Sequence, residues 1–249
     1  MKDIPMFTTE YGVASLVLRE IPYRQEAYIC IQSSCQPEEL LAECVGFCRA
    51  CGAEKIFARN HEILEKYPLH TSIVKMRGIA RVDESKVENL WPVTEKTVSR
   101  WRQFMNERLK DVDNAGTLEK QGEQEILQRG GAYFVHKNGE LLGGGWLVNG
   151  ELLLVAAAVP GAGERVMHTL MSLQPEQSIE LDVASTNTRA IRLYERLGFV
   201  KTEELRRWYK VFQSDKEKYL TSGVMRGILP QVSREMPCHK EVVTWKQLK

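Results

Sequence analysis

The stretch VAAAVPGAGERVMHTL, Val155–Leu170, has the residue types that let backbone alone hold an anion. Small apolar residues run up to Pro160, Gly161-Ala162-Gly163 add no bulk, and a helical pattern follows. This is the outline of a strand, a glycine loop and a helix N-terminus. Glycines let an anion approach the chain closely because they lack Cβ. The first helical amides point outward and carry about half a positive charge. The loop is not a Walker loop, because no Gly-Lys-Ser/Thr follows. It is not a dinucleotide fingerprint either, because the third glycine is missing. A plain tight turn fits these residues as well as a phosphate cradle does.

The second stretch is LDVASTNTRAIRLYERLGFV, Leu181–Val200. A strand leads to Asn187, a helix cap. Ala190, Leu193, Tyr194 and Leu197 fall on one helical face, and Gly198 stands where a left-handed C-cap belongs, with Phe199 behind it. A tyrosine on a packed face, where Leu or Phe would pack as well, needs a partner for its hydroxyl.

Asp111, Asp113, His136, Glu151 and Asp182 are acids and imidazoles able to accept a proton, each equally readable as a surface or turn residue. Trp208-Tyr209, on the last strand, reads as a pocket wall, a core pair or an edge. Cys44, Cys48 and Cys51 share one helical face, with Cys35 nearby. Zinc sites favour Cys-x2-Cys turns over a continuous helix, so a buried face is expected and no metal. A metal-binding regulatory region over residues 30–52 is the alternative for that group. His61 and His168 have no partner at ligand spacing and read as structural or surface residues.

The elements that must position these residues fall into two parts. Residues 1–88 give the order β-β-α-β-α-β. GVASLVLREI and QEAYICIQSS form the first strands, QPEELLAECVGFCRACG a helix, and TSIVKMRGI the last strand. Arg81–Asn89 is charged and uniform and reads as a linker. Residues 89–249 give α-α-β-β-β-α-β-α-β, with hairpin turns at Asn138-Gly139 and Asn149-Gly150. The two parts have a similar rhythm, and the fold class is α/β (α+β).

Leu181, Val183, Asn187, Ala190, Leu193, Tyr194, Glu195, Leu197, Gly198 and Phe199 together resemble the last block of the GNAT superfamily, the acyl-CoA N-acyltransferases, L-x-V-x-x-x-N-x-x-A-x-x-L-Y-E-x-L-G-F. The glycine loop falls where that family binds a pyrophosphate. The resemblance covers about residues 91–212, and residues 1–88 resemble an incomplete copy more weakly. It implies a GNAT-like mixed sheet flanked by helices, preceded by a smaller half-GNAT-like domain. It also implies acetyl-CoA as cosubstrate and an amine as acceptor, joined by direct attack in a ternary complex.

Residue by residue, the resemblance implies that Val155, Ala157 and Val159 bond the pantetheine arm through their backbone. The amides of Gly161, Ala162, Gly163, Glu164 and Arg165 hold the pyrophosphate. Asn187 contacts the cofactor arm or its neighbouring backbone, and Tyr194 protonates the departing thiolate. A phenol can do so because its ordinary pKa, ~10, exceeds that of a thiol, ~8.5. The sequence departs from the family in two places. The loop is short and lacks a basic residue before its first glycine, where Arg165 either substitutes or faces solvent. No acid stands in LLLVAAAV, and Glu151 lies at the start of that strand. These departures leave open a non-catalytic CoA sensor or a protein-interaction module on the same scaffold.

The totals agree with a globular protein. The 249 residues carry 34 Lys+Arg and 33 Asp+Glu, a net charge of +1, so no global field favours nucleic acid or an acidic membrane. Residues 205–249 are locally basic, at +6, and read as a solvated tail or as lying near a polyanionic ligand. No apolar run or signal pattern points to a membrane or to export, which gives an expectation of a cytoplasmic protein with free thiols. A homodimer is compatible with the sequence.

Overall fold

The computed structural model describes residues 5–214, which divide into two compact units. The first comprises the described residues up to Pro68 and those from Tyr209 on, and the second is Leu69–Trp208. The expected basic tail from residue 215 on lies outside the described residues.

The first unit contains β1 (Met6–Thr9), β2 (Gly12–Val17), α1 (Ile21–Arg24), β3 (Glu26–Ser34), α2 (Pro37–Ala50) and β4 (Lys55–Arg59). Proline and acids open α2 and Arg49 closes it, the polarity a helix dipole favours. Its inner face carries Leu40, Leu41, Cys44 and Cys48 onto Leu16, Ile29, Ile31 and Ile56. Burial pushes the Cys44 and Cys48 thiols up to about 12, so both stay protonated packing groups. Cys35 and Cys51 are exposed. Among the described residues, no group of three or more His, Cys, Asp or Glu side chains is placed to hold a metal ion.

The second unit contains β5 (Leu69–Ile79), β6 (Asn89–Pro92), α3 (Val98–Leu109), α4 (Glu123–Arg129), β7 (Ala132–Lys137), β8 (Glu140–Val148) and β9 (Glu151–Ala157). It continues with α5 (Gly163–Met171), β10 (Ser178–Ala184), α6 (Thr188–Arg196) and the first part of β11 (Val200–Gln213). Strand order here is β11-β5-β10-β9-β8-β7-β6. The stretch from β6 to β9 is antiparallel. Its Asn-Gly turns have positive φ at both residues, 51° and 84° at Asn138-Gly139 and 48° and 79° at Asn149-Gly150. That is the backbone a two-residue hairpin needs.

Two features were not legible in the sequence. Strand β5 joins this unit by antiparallel pairing with β10, from Ser178↔Ile79 to Ala184↔Ile73. Residues 81–89, read as a linker, instead lie along α5. The Asp83 amide donates to His168 Nδ1 at 3.1 Å and the Glu88 amide to Thr169 Oγ1 at 3.0 Å. The charges of this segment suggested solvent, but they pair with charges of α5 and β7.

Helices approach both faces of the sheet at Gly143-Gly144-Gly145. A Cβ on Gly143 would lie 2.4 Å from the Ala156 carbonyl oxygen and 2.7 Å from Val166 of α5. On Gly145 it would lie 2.4 Å from Leu170, also of α5. Gly144 faces the other way, toward Trp101 of α3, whose indole N–H donates to the Tyr133 carbonyl at 3.0 Å. One core therefore lies under α5 and α6 and a second under α3 and α4. Gly143→Ala should lower the unfolding free energy by about 1–3 kcal/mol, because its Cβ meets backbone that cannot step aside. A melting temperature equal to wild type would contradict that packing.

Candidate functional site

The site begins where two parallel strands part. β9 and β10 pair only at Glu151↔Glu180 and Leu152↔Leu181. The Glu180 amide donates to the Gly150 carbonyl at 2.8 Å. Beyond Leu152 the strands diverge. At the same place the β8–β9 register shifts, between Trp146 and Leu147. Such a bulge reverses which residues face the neighbouring strand. The Ala158 amide bonds the Leu142 carbonyl at 2.7 Å, so Leu154, Ala156 and Ala158 turn their polar groups to β8. By strand alternation Leu153, Val155 and Ala157 turn theirs to the side β10 has left. Two of the three expected backbone positions, Val155 and Ala157, thus line an opened strand edge. Val159 lies past the end of β9, 44% exposed, and its carbonyl accepts the Ala162 amide at 3.3 Å.

The two loop glycines are required for different reasons. Gly161 has φ +85° and nothing within 4 Å of where a Cβ would be, so it supplies a left-handed turn beneath open space. Gly163 is helical, and its missing Cβ would be 3.1 Å from Leu193, so it lets α5 pack against α6. Ala162 is buried as the cap of α5. The first-turn amides of Gly163, Glu164 and Arg165 have no carbonyl one turn earlier within the helix.

Tyr194 is 7% exposed on α6, its ring 6.0 Å from that of Phe199. Burial pushes the phenol up to about 12, which keeps it protonated. Among the described residues its hydroxyl has no hydrogen-bond partner. Ile191 shares the buried face, an apolar residue the sequence reading passed over. The Asn187 side chain caps α6 by accepting the Ala190 amide at 3.2 Å. Gly198 takes φ 87°, and Phe199 packs on Gly78 of β5, where a Cβ would be 2.8 Å from its ring.

The charges around α5 are already committed. Arg165 pairs with Glu88 at 2.7 Å, which Lys137 also reaches at 2.9 Å. Lys86 pairs with Glu164 at 2.7 Å and with Asp83 at 3.1 Å. The Arg165 side chain is therefore held against residues 85–88 rather than over the loop. A different cation stands at the strand edge. Arg108 of α3 donates from Nε to the Ala157 carbonyl at 2.8 Å.

The other expected residues fall in separate places. Glu151 sits at the closed end of the strand pair. Asp182 lies near Arg206 at 3.8 Å. His136 packs between Trp91 and Phe134, and burial followed by Arg100 lowers its pKa. Asp113 reaches the open end of β10, where the Thr186 hydroxyl donates to it at 2.7 Å. Trp208 is buried and Tyr209 packs in the core of the first unit. Residues missed by the sequence reading are Arg108, the Gly143–Gly145 run and His70, which lies 3.5 Å from Asp113. Each acts across a long sequence separation, so no local spacing marks it.

The first unit has the same strand–helix–strand order without the opening. Its parallel pair β3–β4 stays in register from Glu26↔Lys55 to Cys30↔Arg59. The helix between those strands begins with Pro37, Glu38 and Glu39. That parallel pair stays joined to the end of β4, and its helix start carries two carboxylates.

The sheet order and flanking helices are those of the GNAT fold, and comparison with solved structures agrees. The chain is similar to a GCN5-related N-acetyltransferase from Anabaena variabilis (TM-score 0.52, 9% identity), over 80% of this chain and 59% of that one. It is also similar to one from Kribbella flavida (0.50, 10%), over 82% and 58%. A functionally unknown conserved protein from Staphylococcus epidermidis matches with TM-score 0.51 at 9% identity, over 84% of this chain and 94% of that one. This chain spans less than two thirds of the two acetyltransferases. No family model matches the sequence, and no curated protein does. At these identities the likeness is one of fold. Among the described residues no helix is long and apolar enough to cross a membrane.

The segment along α5 predicts a pH dependence. His168 is buried, accepts the Asp83 amide at Nδ1, and has its pKa lowered by burial and then by Lys86. A lowered histidine contributes stability that is complete above its ordinary value of 6.5 and is lost as pH falls through the folded value. His168→Gln keeps an acceptor for that amide and cannot be protonated. It should flatten the fall in melting temperature below pH 6.5, leaving the share due to His136. An unchanged acid limb would contradict the buried, neutral imidazole.

Proposed function

We propose that the second unit binds acetyl-CoA and transfers its acetyl group to an amine by direct attack in a ternary complex. The observation that carries this reading is the parting of β9 and β10 after two register pairs, with a glycine loop and helix start at its end. The opened edge offers the Val155 backbone groups and the Ala157 amide to a pantetheine arm, as an added strand would, while the Ala157 carbonyl is bonded to Arg108 Nε. The amides of Gly161, Gly163, Glu164 and Arg165 offer donors to a pyrophosphate, whereas that of Ala162 is bonded to the Val159 carbonyl. Because Arg165 is paired with Glu88, we assign it a backbone role only. Asn187 holds the start of α6 so that Tyr194 stays in place.

In the reaction a bond forms between the amine nitrogen and the acyl carbon, and the carbon–sulfur bond breaks. Tyr194 donates its proton to the departing thiolate. Its raised pKa keeps the phenol protonated at neutral pH, and proton transfer to a thiolate of ordinary pKa ~8.5 is uphill and is drawn forward by reprotonation of the phenolate. The matching strand–helix–strand order of the first unit supports reading residues 1–88 as an incomplete copy of the same fold, with 89–249 as the acyl-CoA-binding part.

One observation favours a second reading, a CoA-binding sensor without catalysis. Beyond Glu151 no carboxylate stands on β9, so that strand supplies no base beside the acyl group.

Acetyl-CoA at ~100 times its dissociation constant should stabilise the protein by ~2.7 kcal/mol, a melting shift of roughly 5–10 °C. No shift at millimolar acetyl-CoA would sink both readings. Where binding is seen, Tyr194→Phe should lower kcat by about 10²-fold or more with binding nearly intact. An equal loss of binding would make Tyr194 a structural residue.

A further inference from the structure

We infer that His70, beside Asp113, is the base that takes the acceptor's proton. The inference rests on the acyl-transfer reading above. Strand β5 runs antiparallel to β10, with Ile73 opposite Ala184, so its first residues lie beside the C-terminal end of β10. That is the end at which β9 and β10 have parted. The Ser185 amide donates to the Ser72 carbonyl at 2.7 Å, and the Ser72 amide to Ser185 Oγ at 3.0 Å, which fixes the two segments together. Thr71 Oγ1 lies 3.2 Å from Thr186 Oγ1 and 3.3 Å from Ser185 Oγ. Glu204 of β11 is hydrogen-bonded to Ser72 from the other side.

Asp113 reaches this corner from the segment after α3. One oxygen accepts the Thr186 hydroxyl at 2.7 Å and the other faces His70 Nε2 at 3.5 Å. The same segment touches the opposite lip, since Arg108 bonds the Ala157 carbonyl at the end of β9. Residues 108–113 thus contact the end of β9 and the turn that follows β10, which places the His70–Asp113 pair beside the end at which the two strands part. The imidazole side chain is 17% exposed, close to solvent yet screened by its neighbours.

A nucleophile's base needs an orienting partner and a place near the reacting atom. Asp113 supplies the first, and it stabilises the imidazolium that forms. The chemistry balances with the groups present. The amine nitrogen attacks the acyl carbon and gives one proton to the imidazole. The thiolate leaves with the Tyr194 proton, and the proton on His70 returns to Tyr194 in the next cycle. The products are the amide and the free thiol.

The test is thiol release from acetyl-CoA, with spermidine, a lysine-containing peptide, or water alone as acceptor. Wild type should exceed the protein-free rate with at least one of them. His70→Gln should lower that kcat by ~10²-fold or more with the KM for acetyl-CoA unchanged. His70→Ala should regain activity when imidazole is added, which a structural role would not give. Asp113→Asn should lower kcat in the same direction and serves as the second variant if His70 substitutions fail to fold. Wild-type kcat in His70→Gln, an absent imidazole rescue, or a wild-type rate equal to the blank with all three acceptors would overturn the assignment. Calorimetry of acetyl-CoA binding to the same samples separates the two claims. Absent binding by wild type removes the acyl-transfer reading itself, whereas intact binding with His70-independent turnover removes only the base.

Discussion

The site depends on one interruption of hydrogen bonding. Parallel strands in a buried sheet ordinarily stay paired, because an unpaired backbone amide or carbonyl away from water costs about as much as a lost hydrogen bond. β9 leaves β10 after Leu152, at the point where its register with β8 shifts. The bulge keeps β9 bonded to β8 while changing which residues face outward. An edge strand is thereby exposed inside the second unit, where the polar groups of Val155 and the Ala157 amide become available to a ligand with amides of its own. The β3–β4 pair, which stays zipped, shows that the same strand–helix–strand order does not open by itself.

Close packing keeps this opening in place. Three consecutive glycines on β8 let α5 press on one face and α3 on the other, so the glycine loop and the segment after α3 have little freedom to drift. Residues 83–88 add hydrogen bonds and ion pairs along α5 and take up the charges of Glu164 and Arg165. What remains at the start of α5 is its backbone amides, which suits recognition of a phosphate through N–H groups rather than through a point charge.

Local chemistry was legible in the sequence and long-range pairing was not. The Asn-Gly turns, the Asn187 cap and the Gly198 C-cap are each set by a few neighbouring residues and stand where the pattern put them. The pattern around Tyr194 pointed to the GNAT fold. By contrast, β5 reads simply as a strand, and nothing near it says that its partner is β10. Asp113 was one of five acids and imidazoles without rank until Thr186 and His70 were brought beside it. The two glycines of the loop read alike in the sequence, yet Gly161 answers to backbone conformation and Gly163 to Leu193. The bulge in β9, which opens the site, leaves no mark in a run of Leu, Val and Ala.

The central claim is that the parted edge of β9 and the start of α5 receive CoA through backbone amides. Amide hydrogen exchange on the full chain, with and without CoA, tests it most directly. Exchange should slow at residues 153, 155 and 157 and at residues 161–165, with residues 26–30 and 55–59 unaffected. Unchanged exchange at β9 and the loop under saturating CoA, or protection confined to the first unit, would contradict it.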